Sequence, residues 1–350
     1  MVTGFDVARL AGVTQPTVSR ALRNVPGVSP ETRRKVLEAA ARLSYVPSDM
    51  GRALSTRVNH RVAVVAPELD NPYYPQLVEP LRRELAERGM RTVLVTDGDL
   101  DDLADGSYDG VVLTTTRRRS TLPRDLTERG IPHVLANRVL DVPESNGVTI
   151  DNVYGAYAVA DLLVSLGHET IGMVAGPVDT STGRERADGV RRRLRSHGVR
   201  MRREHVRRCA FDHDAALAAA RSLLSRPEGP SAIGGHSEVL AVGGRPELPT
   251  AVGGRPTAVV CGNDVIALGV LSAAAELGIE VPAQLTVIGF DDIPMAGWPL
   301  VGLTTMRCDL PFLAARAVEL LMAAIAAPTT PPEVIRLRPE LVLRRTHGPA

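Results

Sequence analysis

Residues 5–23 read FDVARLAGVTQPTVSRALR. This stretch predicts two short helices around a tight turn. Asp6, Val7, Ala8, Leu10 and Ala11 place apolar residues at i, i+3 and i+4, one face of a first helix. Gly12 supplies a position where φ can be positive without a Cβ clash. Val13 follows, and Thr14 is a suitable N-cap for a second helix. Pro16 is tolerated in its first turn, where amides have no intrahelical partner. Val18, Ala21 and Leu22 then face inward. Gln15, Pro16, Thr17, Ser19, Arg20 and Arg23 face outward, a short polar and basic surface of the kind that a helix in the DNA major groove requires.

The same stretch resembles the opening of the lactose-repressor (LacI/GalR) family, DVA-x-x-AGVS-x-x-TVSR-x-L, here DVARLAGVTQPTVSRAL. The likeness continues through VSPETRRKVLEAAARLSYVP and GRALST and recurs over most of the chain. Ser29 is expected to cap a third helix, with Pro30 at its first position and Val36, Leu37, Ala40 and Leu43 on its inner stripe. Tyr45 and Val46 are expected to complete this small core. Gly4 stands where the family usually has a branched apolar residue, so Phe5 is expected to pack in its place. The resemblance implies that Asp49 to Ser55 forms a hinge helix, capped by Ser48, that folds when two copies meet in the minor groove. Leu54 then matches the family's inserted leucine, an apolar wedge that unstacks a base step.

Charge is unevenly spread. Residues 1–60 carry nine Arg/Lys against four Asp/Glu, a surplus of five; the rest carries 32 against 36, a deficit of four. A basic head on a mildly acidic body suits a nucleic-acid reader with a separate regulatory part. Cys209, Cys261 and Cys308 are isolated, without C-x-x-C or zinc spacing, so three buried thiols and no metal site are expected. No apolar run is long enough to span a bilayer, and the first residues lack a secretory pattern, so a cytoplasmic location is expected.

From Arg61 the pattern alternates strand and helix. Strands are predicted at 62–67, 91–96, 109–114, 131–136, 147–151, 170–176, 206–210, 257–261 and 285–290. Helices are predicted at 74–88, 154–166, 183–197, 213–225 and 264–277. Apolar strands alternating with helices imply parallel sheets covered on both faces. The expected fold class is therefore α/β: an all-α helix-turn-helix head followed by two doubly wound parallel-sheet lobes of periplasmic-binding-protein-like type. The resemblance implies that the chain crosses between lobes three times, which gives a head at 1–47, a hinge helix and linker at 48–60, one lobe at 61–160 plus 293–321, and another at 161–292 plus 322–345. Two features depart from the family. DGDLDDLADGSY (97–108) is short where a full crossover helix is usual. Residues 232–256 hold the repeat AIGGHS, AVGGRP, AVGGRP, and 228–255 is expected to be a surface loop.

Doubly wound lobes bind ligands at the carboxyl ends of their strands. The resemblance places effector contacts at Tyr73, Asn137, Arg186, Phe211, Asn263 and Asp291. A guanidinium at Arg186 can hold hydroxyls or a carboxylate bidentately. Asp291 and Asp292 are a poor acid/base pair, because adjacent residues on an extended chain point oppositely. Leu310 occupies a position that is often aromatic, which makes the site less sugar-like. In the head, the resemblance puts Gln15 and Pro16 at the family's two main base-reading positions, and Gln can pair bidentately with adenine. Arg20 can read guanine or hold phosphate; Thr14, Thr17, Ser19 and Asn24 orient the helix through phosphates. His168, in LGHETIG, reads as a structural turn.

No nucleotide, hydrolase or metalloprotease motif is present, so neither an enzyme nor a cofactor is expected. The expected function is a dimeric, sequence-specific DNA-binding transcriptional regulator, a repressor. It reads a near-palindromic double-stranded operator and is controlled by a small molecule, a carbohydrate or derivative, held between the lobes. The alternatives are a solute-binding protein without DNA function and a regulator that has lost effector response.

Overall fold

The computed structural model describes residues 2–22, 24–45, 59–67, 69–96, 100–142, 144–225, 254–327 and 331–350. It divides into two compact units, residues 1–60 and 61–350. In the first unit, the Thr3 amide and hydroxyl both donate to the Asp6 carboxylate, at 2.9 and 2.7 Å, and so start helix α1 (Gly4–Ala11). Gly12 stops it at φ +67, in the left-handed region that glycine enters without strain. Helix α2 (Gln15–Leu22) follows, and α3 (Pro30–Arg42) begins where the Ser29 hydroxyl accepts the Thr32 amide at 3.2 Å. Val7, Ala8, Val18, Ala21, Val36, Ala39 and Ala40 form the core, closed by Val13, Leu22, Leu43 and Tyr45.

Leu10, Leu37 and Phe5 do not pack as expected. Leu10 and Leu37 are exposed, because α1 and α3 bury their alanines, Ala8, Ala39 and Ala40, rather than these leucines. Phe5, 69% exposed, does not stand in for the missing side chain at Gly4; the Tyr45 hydroxyl and Gln15 lie against that position instead. Val46, Leu54 and the rest of the hinge lie outside the described residues.

The second unit runs β1 (Arg61–Ala66), α4 (Tyr73–Glu87), β2 (Arg91–Thr96), α5 (Leu100–Leu103), β3 (Gly110–Leu113), α6 (Leu122–Glu128), β4 (His133–Ala136), β5 (Gly147–Ile150), α7 (Asn152–Ser165), β6 (Ile171–Ala175), α8 (Ser181–Ser196), β7 (Val206–Arg208), α9 (His213–Leu224), β8 (Ala258–Cys261), α10 (Asp264–Glu276), β9 (Thr286–Ile288), β10 (Thr305–Arg307), α11 (Leu310–Ala326), β11 (Val334–Leu337) and β12 (Glu340–Val342). The first lobe is a six-stranded parallel sheet, β11-β5-β4-β3-β1-β2, and the second a four-stranded parallel sheet, β7-β6-β8-β9; β10 and β12 pair antiparallel. Strands such as β3, β4, β6 and β8 are buried throughout, as sheets covered on both faces require.

The short crossover at 97–108 leaves its mark. Helix α5 is a single turn, and Leu103 is driven fully into the sheet beside Leu126 of α6. The neighbouring edge strand β2 stays half open, with Leu94 39% exposed. The glycine-rich repeat lies almost wholly within 226–253, outside the described residues.

The lobe boundaries differ from those expected. Helix α7 packs along α8 and so belongs with the second lobe from residue 152, not from 161. The backbone bridges Ile288–Thr304 and Asp291–Arg307 keep 293–307 beside β9. Helix α11 is continuous through 321 and buries Leu313, Ala317, Val318 and Leu321 on the first lobe, where β11 also pairs with β5. The chain returns only after 337, when Thr346 donates to the Val287 carbonyl at 2.7 Å. Crossings near 151, 308 and 338 follow from these pairings. His168 is buried, bonded to the Thr257 hydroxyl at 2.9 Å and the Gly348 carbonyl at 3.0 Å, a structural pin as expected. Cys261 and Cys308 are buried thiols, but Cys209 on the short edge strand's end is only half-buried. Among the described residues no helix is long and apolar enough to cross a membrane.

Candidate effector site and nucleic-acid interface

The carboxyl ends of β1, β3 and β4 meet the segment after β7 around a cavity of about 510 Å³. Its walls include Asn71, Tyr74, Thr115, Arg117, Arg138 and Phe211. This is the strand-end crevice where open α/β sheets take their ligands. Phe211 is fixed from below, since any side chain at Gly176 would run into its ring. Arg138 is buried, with its guanidinium 5.5 Å from the Phe211 ring centroid. It donates to the Tyr74 hydroxyl at 2.9 Å and to the Thr115 carbonyl at 3.4 Å. Among the described residues its Nε has no partner, and no carboxylate lies within ion-pair distance. A buried guanidinium so loosely engaged is an available donor for a ligand oxygen.

Of the six effector positions expected from sequence, only Phe211 lines this cavity. Tyr73 is buried beneath it and donates to Asn137 Oδ1 at 2.9 Å; its neighbour Tyr74 faces the cavity instead. Arg186, Asn263 and Asp291 gather at the strand ends of the second lobe. The Arg186 guanidinium donates to Asn152 Oδ1 (2.8 Å), the Gly262 carbonyl (2.8 Å) and Asp291 Oδ1 (2.9 Å), and lies 3.7 Å from the Phe290 ring centroid. Asn263 caps α10, its side-chain oxygen accepting the Ile266 amide at 3.0 Å. Asp291 and Asp292 do take separate partners, but not because the chain is extended. Their φ values are +121 and +58, and Asp292 instead meets Arg307 and Arg344 at 2.7 and 2.6 Å. Leu310 is buried.

In residues 61–350, the described non-glycine residues with positive φ are Asn137, Asp291 and Asp292. Each such backbone costs about 1–3 kcal/mol and persists only where its surroundings impose it. All three stand at this strand-end region. Electrostatics mark the same place. Burial raises the Asp291 carboxyl against the opposing pull of Arg186. Burial, reinforced by Asp291, raises Asp264 to about 7; the Thr305 hydroxyl and Ile293 amide that donate to it do not offset this. Burial likewise pushes the Tyr73 phenol well up. Arg138, Tyr74 and Asn71 were missed in the sequence; the adjacency of Arg138 to Asn137 and of Tyr74 to Tyr73 was the only available signal.

In the head, Pro16, Arg20, Thr14 and Asn24 are exposed, and Gln15, Thr17 and Ser19 partly so. Val18 and Ala21 are buried behind them, so α2 presents the polar face expected. The Thr14 and Thr17 hydroxyls pair at 2.9 Å, so Thr14 opens α2 through a side-chain pair. Asn24 has φ +56. Arg20 has no ion pair among the described residues.

A three-helix head with an exposed polar recognition face, joined to two parallel-sheet lobes with a strand-end cavity, defines a helix-turn-helix regulator with a periplasmic-binding-protein-like body. Profile matches agree: residues 5–48 match "Bacterial regulatory proteins, lacI family", 59–253 "Periplasmic binding proteins and sugar binding domain of LacI family", and 160–347 "Periplasmic binding protein-like domain". The chain is 31% identical to the HTH-type transcriptional regulator CelR of Thermobifida fusca, over 97% of this chain and 96% of that protein. It is 29% identical to the ribose operon repressor of Escherichia coli strain K12, over 98% and 99%. The solved CelR–cellobiose complex superimposes with a TM-score of 0.71, covering 99% of this chain and 100% of that one. The lac repressor dimer bound to operator and the anti-inducer ONPF, 22% identical, shares the fold at a TM-score of 0.81 over 99% and 98%. The protein belongs to the LacI family of bacterial regulatory proteins. It is a DNA-binding transcriptional regulator with a sugar-binding type of body, rather than a solute-binding protein without DNA function.

The raised Asp264 carboxyl gives the fold a pH dependence. Its unfolded value is near 3.8 and its folded value about 7, so the folded chain holds the extra proton between them. Stability therefore falls as pH rises through that window and levels off above it. Urea midpoints measured from pH 5 to 8 should decline for the native chain, and Asp264→Asn should flatten the decline whatever its effect on the absolute midpoint.

Proposed function

We propose that the protein is a cytoplasmic repressor that binds a near-palindromic operator as a homodimer and releases or engages it according to a carbohydrate held in the cleft between its lobes. The observation that carries this reading is the cavity at the strand ends, of a volume usual for small-molecule sites, walled by a stacking aromatic and a buried guanidinium without a carboxylate partner. Phe211 stacks on the sugar ring, while Arg138, Tyr74 and Asn71 bond its hydroxyls. Tyr73, Asn137, Arg186, Asn263 and Asp291 form the buried floor that holds these groups and contacts a ligand that reaches deeper. The sugar class is supported by the cellobiose in the CelR complex and by the ribose operon that the second relative represses.

In the head, Gln15, Pro16 and Arg20 read base edges. Thr14, Thr17, Ser19 and Asn24 place α2 through phosphates, and Leu54 wedges the minor groove. The ligand favours one lobe arrangement, and its effect on DNA binding equals its difference in affinity between the two arrangements. A regulator that has lost effector response lacks a specific observation in its favour, since the cavity is present.

Gel shifts with the region upstream of the protein's own gene test the DNA half. The native chain should bind at moderate salt in preference to random duplex. Arg20→Ala should weaken that binding by about 1–3 kcal/mol if it reads a base. Equal affinity for both duplexes contradicts the reading. Calorimetry against a sugar panel tests the other half. One sugar should bind, and Arg138→Gln should weaken it at least about tenfold, or ~1.4 kcal/mol, while operator binding without sugar stays unchanged. An unaltered sugar affinity removes Arg138 from the site.

A further inference from the structure

Residues 184–208 hold eleven arginines against three acidic residues. Elsewhere in this unit arginines are typically neutralised: Arg82 and Arg83 by Glu79, Arg124 by Glu128, Arg193 by Asp161, Arg221 by Glu276, Arg336 by Glu185. One group departs from that habit. Arg191 and Arg195 on α8, Arg200 in the following loop and Arg203 in the single 3-10 turn before β7 converge on a concavity of about 620 Å³. Met201 and Val206 complete its walls, and no carboxylate lines it. Among the described residues, the side chains of Arg195, Arg200 and Arg203 make no hydrogen bond or ion pair; Arg191 reaches Asp188 only at 3.8 Å. The crowding is felt nearby, where burial and Arg191 both lower the Arg208 guanidinium.

Four like charges gathered here, of which only Arg191 has a carboxylate within ion-pair reach among the described residues, repel one another, and nothing in the packing requires them, since Arg195, Arg200 and Arg203 are exposed. Guanidinium forks match phosphate oxygens bidentately, and several forks around one concavity match several phosphates in a short chain. The volume lies within the ~300–1,000 Å³ usual for small-ligand sites. A concavity of this size admits a short phosphate chain but not a duplex, whose paired strands are far wider than it. We propose that this arginine-lined concavity on the second lobe, built from residues that do not line the cleft cavity, is a binding site for a condensed phosphate chain. The chain can be that of a nucleoside polyphosphate or of linear inorganic polyphosphate. The apolar Met201 and Val206 walls give a nucleoside ring somewhere to rest, which would favour the first source.

The test is calorimetry on the full-length protein at about 150 mM salt, where loose surface attraction is largely screened. Inorganic tripolyphosphate, ATP and orthophosphate are the probes. Tripolyphosphate should bind one per chain and at least tenfold more tightly than orthophosphate. The double variant Arg195→Gln/Arg203→Gln should lose at least tenfold, with its melting temperature unchanged or raised, because neither side chain has a partner to lose and two repelling charges are removed. Arg195→Lys/Arg203→Lys should recover part of the affinity, and Arg20→Ala, in the head, should leave it as it is. ATP binding more tightly than tripolyphosphate assigns the site to nucleotides; equal affinity assigns it to the phosphate chain alone. Either supports the site. The proposal is overturned if tripolyphosphate binds no better than orthophosphate, or if the glutamine variant binds as the native chain does. It is equally overturned if random duplex DNA displaces tripolyphosphate from the Arg20→Ala protein.

Discussion

A single buried guanidinium, that of Arg186, draws the strand ends of the second lobe together. It binds the carbonyl that follows β8, the carboxylate that follows β9 and the amide oxygen of Asn152 at the start of α7, and it lies on the Phe290 ring. Removing one partner of a buried pair costs about 3–5 kcal/mol, because the other charge is left without compensation. Asp291 also carries a left-handed backbone, which only such anchoring sustains. The arrangement is thus built under strain and held by polar bonds as well as by apolar packing.

That staple is joined to the first lobe through a neighbour. Glu185, beside Arg186, accepts from Asn152 at 3.1 Å and pairs with Arg336 on β11 at 3.2 Å. Further polar contacts cross between the lobes at the other strands: Arg117 to Asp179 at 2.7 Å, Arg118 and Arg184 to a shared Asp141, and the Val139 amide to the Ser181 hydroxyl at 3.2 Å. Most of these ion pairs are exposed and individually weak. Contacts of that strength cost little to break, as the proposed shift between lobe arrangements requires.

The parts of this structure legible in sequence were those set by local periodicity. The head's turn at Gly12, the Ser29 cap and the apolar strands from Arg61 to Ile288 all follow from side-chain spacing, and each stands within a few residues of its expected place. What escaped was set by distant partners. The bridges that hold 293–307 beside β9, the pairing of β11 with β5 and the packing of α7 along α8 have no local signal, so the three crossings between lobes stand about 9 to 17 residues from their expected places. Tyr73 and Tyr74 are indistinguishable in sequence, yet one donates to Asn137 and the other walls the cavity. Arg138 has no motif at all; its importance lies in a missing carboxylate, which only three dimensions reveal. The left-handed backbones at Asp291 and Asp292 were likewise invisible, because aspartate there looks like ordinary turn chemistry.

In the proposed function the cleft and the DNA-reading head are coupled in free energy. Linkage makes the coupling reciprocal: a sugar that changes operator affinity by some factor must have its own affinity changed by the operator by the same factor. The decisive measurement is therefore a pair of titrations on the full-length protein, operator binding with and without saturating sugar, and sugar binding with and without saturating operator. Equal factors, each at least about fivefold, are the predicted result. Two factors of one, with both ligands bound, would show that the cleft and the head act independently and would contradict the account.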